Sequence, residues 1–375
     1  MKKNSLLIVI VAVIIISIIS LMVYKAKNKS ESDDVIRIGA ILPLTGSQSQ
    51  DGSEVKNAIV LAVNEINNYQ NANCKIDINI CDSKDNSKEA ITIFNAMMGN
   101  RPDVVIVGGS VVSLSVAPLA NKYKIPILSL LACDDALPNE NDWMFRSFPS
   151  DKEEIGLMVR YSVEKLNVRK LASLTVDNIQ GKMAIKYIKE FAEKLHCEIC
   201  AEETYLIDAM DARSQVSKII KTNPDSIYVF GYGIGFSTSI NQIRELGYTK
   251  SILTWSAMSL VANQEALKGN KANIYYTAPQ FSRDLSNASR KFYDQYIEAY
   301  KKQPGFVAAF AYETVRMIEM VSKPNGHSAE SLCSGLKGIN NYESITGEIG
   351  FNGHRGLQTV FGVFKIDDGK IVRIQ

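Results

Sequence analysis

The chain has 375 residues, with 42 Lys and Arg against 40 Asp and Glu, and 46% of its residues are hydrophobic. Five of the basic and three of the acidic residues lie within 1–34, so the body from residue 35 onward carries 37 of each and no net charge. That balance excludes the basic surface field that steers proteins to nucleic acid or anionic lipid, and the length exceeds what one core usually holds, so two lobes are expected.

The first element is apolar. Residues 6–23 contain no charged side chain and are hydrophobic apart from Ser17 and Ser20. As a helix they would reach about 27 Å, close to the roughly 30 Å hydrocarbon core of a bilayer. Secretory signals usually have a shorter apolar region and a small-residue cleavage site. Here Tyr24 spoils the site ending at Ala26, and no Cys follows the run to carry a lipid. The segment reads as an export signal retained as a membrane anchor, with 25–34 as a polar linker. Lys2 and Lys3 favour a cytoplasmic N-terminus, but Lys25, Lys27 and Lys29 blunt that argument, so these charges leave the orientation open.

The body opens with an apolar run over 35–42, stopped by Pro43 and Gly46, as a buried parallel strand would be. Val55, Ile59, Ala62 and Ile66 then fall on one helical face. Strands are predicted over 75–81, 103–107 and 125–130, with helices over 88–98 and 116–123 between them. The pattern restarts with a helix over 155–166. Strands follow over 170–176, 198–205, 226–230 and 251–255, separated by helices over 182–195, 212–222 and 239–246. Two successive βα series predict an α/β fold of two doubly wound parallel sheets. Ligands bind such sheets beyond the carboxyl ends of the strands, here at 43–52, 108–113, 131–135, 177–181, 231–237 and 256–259.

Six cysteines, at 74, 81, 133, 197, 200 and 333, form no clear framework. Cys197 and Cys200 have CxxC spacing, but only His196 is near them, too few ligands for zinc. A disulfide there stays open if the body is exported, with free packed thiols the default. Gly231-Tyr232-Gly233-Ile234-Gly235 evokes a dinucleotide loop, yet Phe236 stands where a third glycine or alanine is needed. There is no GxSxG, and no acid, base and nucleophile converge, so no enzyme, metal or cofactor is expected.

Residues 38–46 (IGAILPLTG), Asp51-Gly52 and 61–67 (LAVNEIN) resemble the opening of type I periplasmic binding proteins. Further matches are 103–110 (DVVIVGGS), 145–151 (FRSFPSD), 224–232 (PDSIYVFGY), 311–314 (AYET), Ile345-Thr346-Gly347 with Phe351-Asn352, and 361–364 (FGVF). The ordered set covers nearly all of 35–375 and is most similar to the branched-chain amino acid (leucine/isoleucine/valine) binding proteins. The resemblance implies two Rossmann-like lobes joined by a hinge crossed three times, near 147–151, 275–279 and 342–347. Lobe 1 would then hold 35–148 and 277–344, and lobe 2 would hold 149–276 and 345–375. It also implies an extracytoplasmic body that captures a small polar ligand and delivers it to the permease of an ABC importer. The alternative is a receptor that presents its ligand to a sensor protein. Because the sequence ends at Gln375 with no further span or signalling domain, delivery is the favoured expectation.

By the same resemblance Ser110 holds a ligand carboxylate, helped by helix N-terminal N–H groups. Ala132 and Cys133 match the second rim of the first lobe, and Tyr232 an aromatic that covers the ligand from the second. Gln180 falls where many relatives place a Tyr. Asp51 sits where an aromatic often stands, and Trp255 is either a stacking surface or core. The departure is Ser256, where amino-acid binders put a carboxylate for the ligand ammonium. Either Asp134 or Asp135 replaces that acid, or the ligand is not an α-amino acid.

Overall fold

A computed structural model describes residues 35–375, apart from Ser47, Asn73, 134–136, 138–142, Asn270, 323–326 and Asp368. The apolar segment 6–23 lies outside the described residues, among which no helix is long and apolar enough to cross a membrane.

Five parallel strands form the first sheet: β1 (Val35–Leu42), β2 (Lys75–Asp82), β3 (Val104–Gly108), β4 (Ile127–Leu130) and β5 (Met144–Arg146), in the order β2-β1-β3-β4-β5. The two-residue period of β1 decides which face each side chain serves. Ile36, Ile38, Ala40 and Leu42 pack with the helices Ser49–Asn68 and Phe306–Val321. Ile41 points the other way, into a core built on the helices Ser87–Met97 and Ser110–Tyr123. Helices on both faces are what makes every residue of β3 and β4 buried.

The second sheet holds β6 (Lys170–Val176), β7 (Glu198–Tyr205), β8 (Ser226–Phe230), β9 (Ser251–Thr254) and β10 (Ile274–Pro279), all parallel. A small antiparallel sheet follows, made of β11 (Tyr342–Ser344), β12 (Gly347–Gly350) and β13 (Gln358–Thr359). Then β14 (Phe361–Asp367) and β15 (Lys370–Arg373) add antiparallel to β10, giving the order β15-β14-β10-β9-β8-β6-β7. The second sheet is therefore mixed rather than wholly parallel. A hairpin returns to its own neighbour without a crossover helix, which is why it leaves no βα alternation to read.

The cores trace the path of the chain. It leaves the first core after Phe148 and enters the second at Ile155, returns between Ala278 and Phe292, and passes over again between Leu357 and Val363. Ile345, Ile349, Phe351 and Leu357 all pack in the first core, so the third passage lies later than the 342–347 expected. The small sheet around β12 keeps this stretch on the first lobe. All six cysteines are thiols outside any disulfide, and the Cys200 thiol accepts a hydrogen bond from Thr222.

Candidate functional site

A cleft of about 360 Å³ opens between the carboxyl ends of the two sheets. Its walls come from the segments that leave β1, β3 and β4 on one side and β6, β8 and β9 on the other. Strand ends meet there because each parallel strand delivers its chain to the same edge before the next helix begins.

On the first side Ser110 is the first residue of its helix, and the N-cap is Gly109 at φ +97°. Glycine tolerates that left-handed conformation but offers no side-chain acceptor, so no side chain caps this helix. The Ser110 hydroxyl and an uncapped helix start thus stand together at the cleft. Cys133 also lines it, with burial and then the Asp151 charge pushing its thiol well up. Ala132 does not line the cleft. It is fully buried on the far face of the sheet, because successive side chains after β4 alternate sides. Asp134 and Asp135 lie outside the described residues.

On the second side Asn178 caps the helix Ile179–Lys194 by accepting from the Gly181 N–H at 2.9 Å, while its amide donates to the Tyr232 hydroxyl at 3.0 Å. Tyr232 stands between Gly231 and Gly233, both at positive φ, a bend that brings the ring to the cleft wall. Burial raises its phenol above the ordinary range. Gln180 also lines the cleft and donates to Asp151 Oδ2 at 3.0 Å. Trp255 serves both readings at once. Its ring stacks on Phe230 at 4.4 Å and its N–H donates to the Gly231 carbonyl at 2.8 Å, yet it also lines the cleft.

An acid from another element meets Ser256. Glu154, 2% exposed, reaches it from the helix Asp151–Lys165. Its Oε1 accepts from the Ser256 N–H at 2.6 Å and the Thr277 hydroxyl at 3.0 Å, and its Oε2 accepts from Ser256 Oγ at 3.1 Å. Burial, reinforced by the Asp151 charge, pushes the Glu154 carboxyl up to about 8. Sequence reasoning missed Asp151 and Glu154 as cleft residues, because acids in a first helical turn ordinarily read as solvated partners of the helix dipole. A signal was present: Asp151 and Glu154 extend the buried stripe of Ile155, Met158, Val159 and Ser162 back by one turn.

Of the site residues expected from sequence, Ser110, Cys133, Gln180, Tyr232 and Ser256 come together on this cleft. Asp51 joins them from the first turn of its helix, where burial raises its carboxyl.

A family described as periplasmic binding protein matches residues 35–370 of the chain. The leucine-, isoleucine-, valine-, threonine- and alanine-binding protein of Pseudomonas aeruginosa is 21% identical over 333 residues, 86% of this chain and 87% of that protein. Among solved structures, the branched-chain amino acid transporter substrate binding protein of Streptococcus pneumoniae, in complex with isoleucine, superposes with a TM-score of 0.78 at 24% identity. It covers 91% of this chain and 100% of its own. A solute binding protein of an ABC transporter from Rhodopseudomonas palustris, in complex with 3,4-dihydroxybenzoic acid, reaches 0.80 at 19% identity, over 91% and 96% of the two chains. At these identities the superpositions establish the fold of two lobes.

Proposed function

We propose, because this chain belongs to the periplasmic binding protein family, that it is an extracytoplasmic solute-binding protein. It captures a small polar solute, an amino acid or related compound, between its lobes and delivers it to the permease of an ABC importer. The observation that carries this reading is the cleft itself, lined from both sheets by uncapped N–H groups, hydroxyls, amides and aromatic walls. Contacts from both sides make ligand binding stabilise the closed form over the open one, which is what a permease reads. The isoleucine and dihydroxybenzoate complexes of the similar structures support the solute class.

The test is a thermal-shift screen of the full chain against amino acids, amides and small aromatic acids and amines, followed by solution scattering. A ligand should raise the melting temperature and compact the particle, and no response across such a panel would overturn the reading. Ser110→Ala and Tyr232→Ala should each weaken the ligand about tenfold, the loss of one hydrogen bond or one aromatic contact. Unchanged affinity would remove both residues from the site.

Residues 6–23 serve in this reading as the export signal and then as the anchor, tethering the body to the outer face of the membrane through the linker 25–34. N-terminal sequencing of the mature protein should find residues 6–23 still present in the membrane fraction, and a soluble form starting at Lys27 would rule the anchor out.

A further inference from the structure

The walls of the cleft carry three carboxylates, Asp51, Asp151 and Glu154, and among the described residues no lysine, arginine or histidine lines it. Asp151 and Glu154 stand one helical turn apart at the start of their helix, 6% and 2% exposed. The donors that satisfy Glu154 are an N–H and two hydroxyls, all neutral. Hydrogen bonds of that kind reduce the cost of burying a carboxylate but leave its charge in place. A second buried polar group stands beside it. The Tyr228 hydroxyl has no hydrogen-bond partner among the described residues and lies near enough to Glu154 and Asp151 for their charge to oppose its ionisation. The other walls are largely apolar or aromatic, including Phe148, Tyr187, Trp255 and Phe306.

We infer that the cleft selects an organic cation, a primary amine on an apolar or aromatic body, with its ammonium held between Asp151 and Glu154. This rests on the solute-binding reading and names the ligand class for the same site. The positive charge that the walls lack arrives with the ligand. A free carboxylic acid would add a negative charge beside these acids. A zwitterionic amino acid would bring one anion for each cation.

The protonation of Glu154 gives the binding a signature. Its neighbours include Asp151 on its own helix, Ser256 and Thr277 on the strand side, Tyr228 from β8 and Cys133 across the cleft, whose thiol also feels the buried Arg146 guanidinium. In the empty cleft Glu154 keeps its proton up to about pH 8. An ammonium, itself charged up to pH about 10, favours the ionised carboxylate, so binding below pH 8 expels a proton. Affinity should then rise with pH by up to about tenfold per unit and level off above pH 8.

The experiment is calorimetric titration of the full chain with butylamine, phenethylamine, cadaverine, L-leucine and benzoate, in two buffers of different ionisation heat, from pH 6 to 9. The expected result is that an amine binds, releases a proton below pH 8, and outcompetes L-leucine and benzoate at least tenfold. Glu154→Gln should weaken that amine at least about 30-fold while its circular dichroism and melting show a folded chain. Equal or tighter binding of L-leucine or benzoate, or an unchanged amine affinity in Glu154→Gln, would overturn the inference. If amines fail but a neutral or anionic solute closes the lobes, only the ligand class falls. If nothing closes them, the solute-binding reading falls with it.

Discussion

At pH 9 the Glu154→Gln chain should melt roughly 5–10 °C above the parent, although it has lost a charged group from the cleft. Glu154 is buried, and burial together with the Asp151 charge moves its carboxyl from 4.5 to about 8. Between those values the folded chain holds a proton that the unfolded chain has released. The unfolded state therefore binds fewer protons, and stability falls as pH rises through this window. Summed over the window the loss is on the order of 3–5 kcal/mol. Glutamine escapes it. Its carbonyl takes the Ser256 N–H and the Thr277 hydroxyl, and its amide faces Ser256 Oγ, which can accept. Near pH 4.5 parent and variant should melt together, because Glu154 is then protonated and equally neutral. Glu313, also buried and pushed up to about 7, remains in both chains and gives them a common slope. Parallel melting curves across the whole range would show that Glu154 does not titrate as stated. If the curves diverge, the residue is one the empty fold would be more stable without, the usual mark of a group kept for binding.

The strands β6 to β9 of the second lobe were legible almost to the residue, because each is a short apolar or alternating run between polar breaks. The ranges read over 170–176, 198–205 and 226–230 are those of β6, β7 and β8. Several helix starts were read late. The helix expected from 116 begins at Ser110, that expected from 182 at Ile179, and that expected from 239 at Ile234. Periodicity comes from side chains that pack on a sheet, and the first turns of the helices at Ser110 and Ile179 face the cleft instead. Glycine and serine at those turns look like loop. The segments 108–113, 177–181 and 231–237, taken as binding loops, are thus largely helix N-termini. What could not be read was the meeting of residues far apart in the chain. Ser256 and Glu154 are separated by 102 positions, and only the packing of one helix against β9 and β10 brings the acid to the serine. Ser256 was read as a departure, but its replacement was sought at Asp134 and Asp135.

Gly181→Ala should destabilise the second lobe by about 3 kcal/mol, a large loss for one methyl group. A Cβ on Gly181 would lie 1.8 Å from the Val176 carbonyl oxygen and 2.9 Å from its carbon. Both belong to the backbone at the end of β6, so no side chain can turn aside. The helix Ile179–Lys194 must shift outward, straining the cap that Asn178 makes to the Gly181 N–H. The first lobe repeats the arrangement: a Cβ on Gly52 would lie 2.0 Å from the Pro43 carbonyl oxygen, just past β1. In each lobe a glycine in the first helical turn lets the helix sit close against the strand end that feeds the cleft. The two tryptophans separate the lobes experimentally, since Trp143 packs with the first and Trp255 with the second. In a Trp143→Phe background, the urea midpoint reported by Trp255 should fall on adding Gly181→Ala. Gly99→Ala, where an added Cβ meets nothing within 4 Å, should leave it in place. Because the same shift carries Asn178 and Gln180 with the helix, Gly181→Ala should also weaken the ligand. An unmoved midpoint would mean that the helix has room this geometry denies it, and that its start is not what fixes the second rim of the cleft.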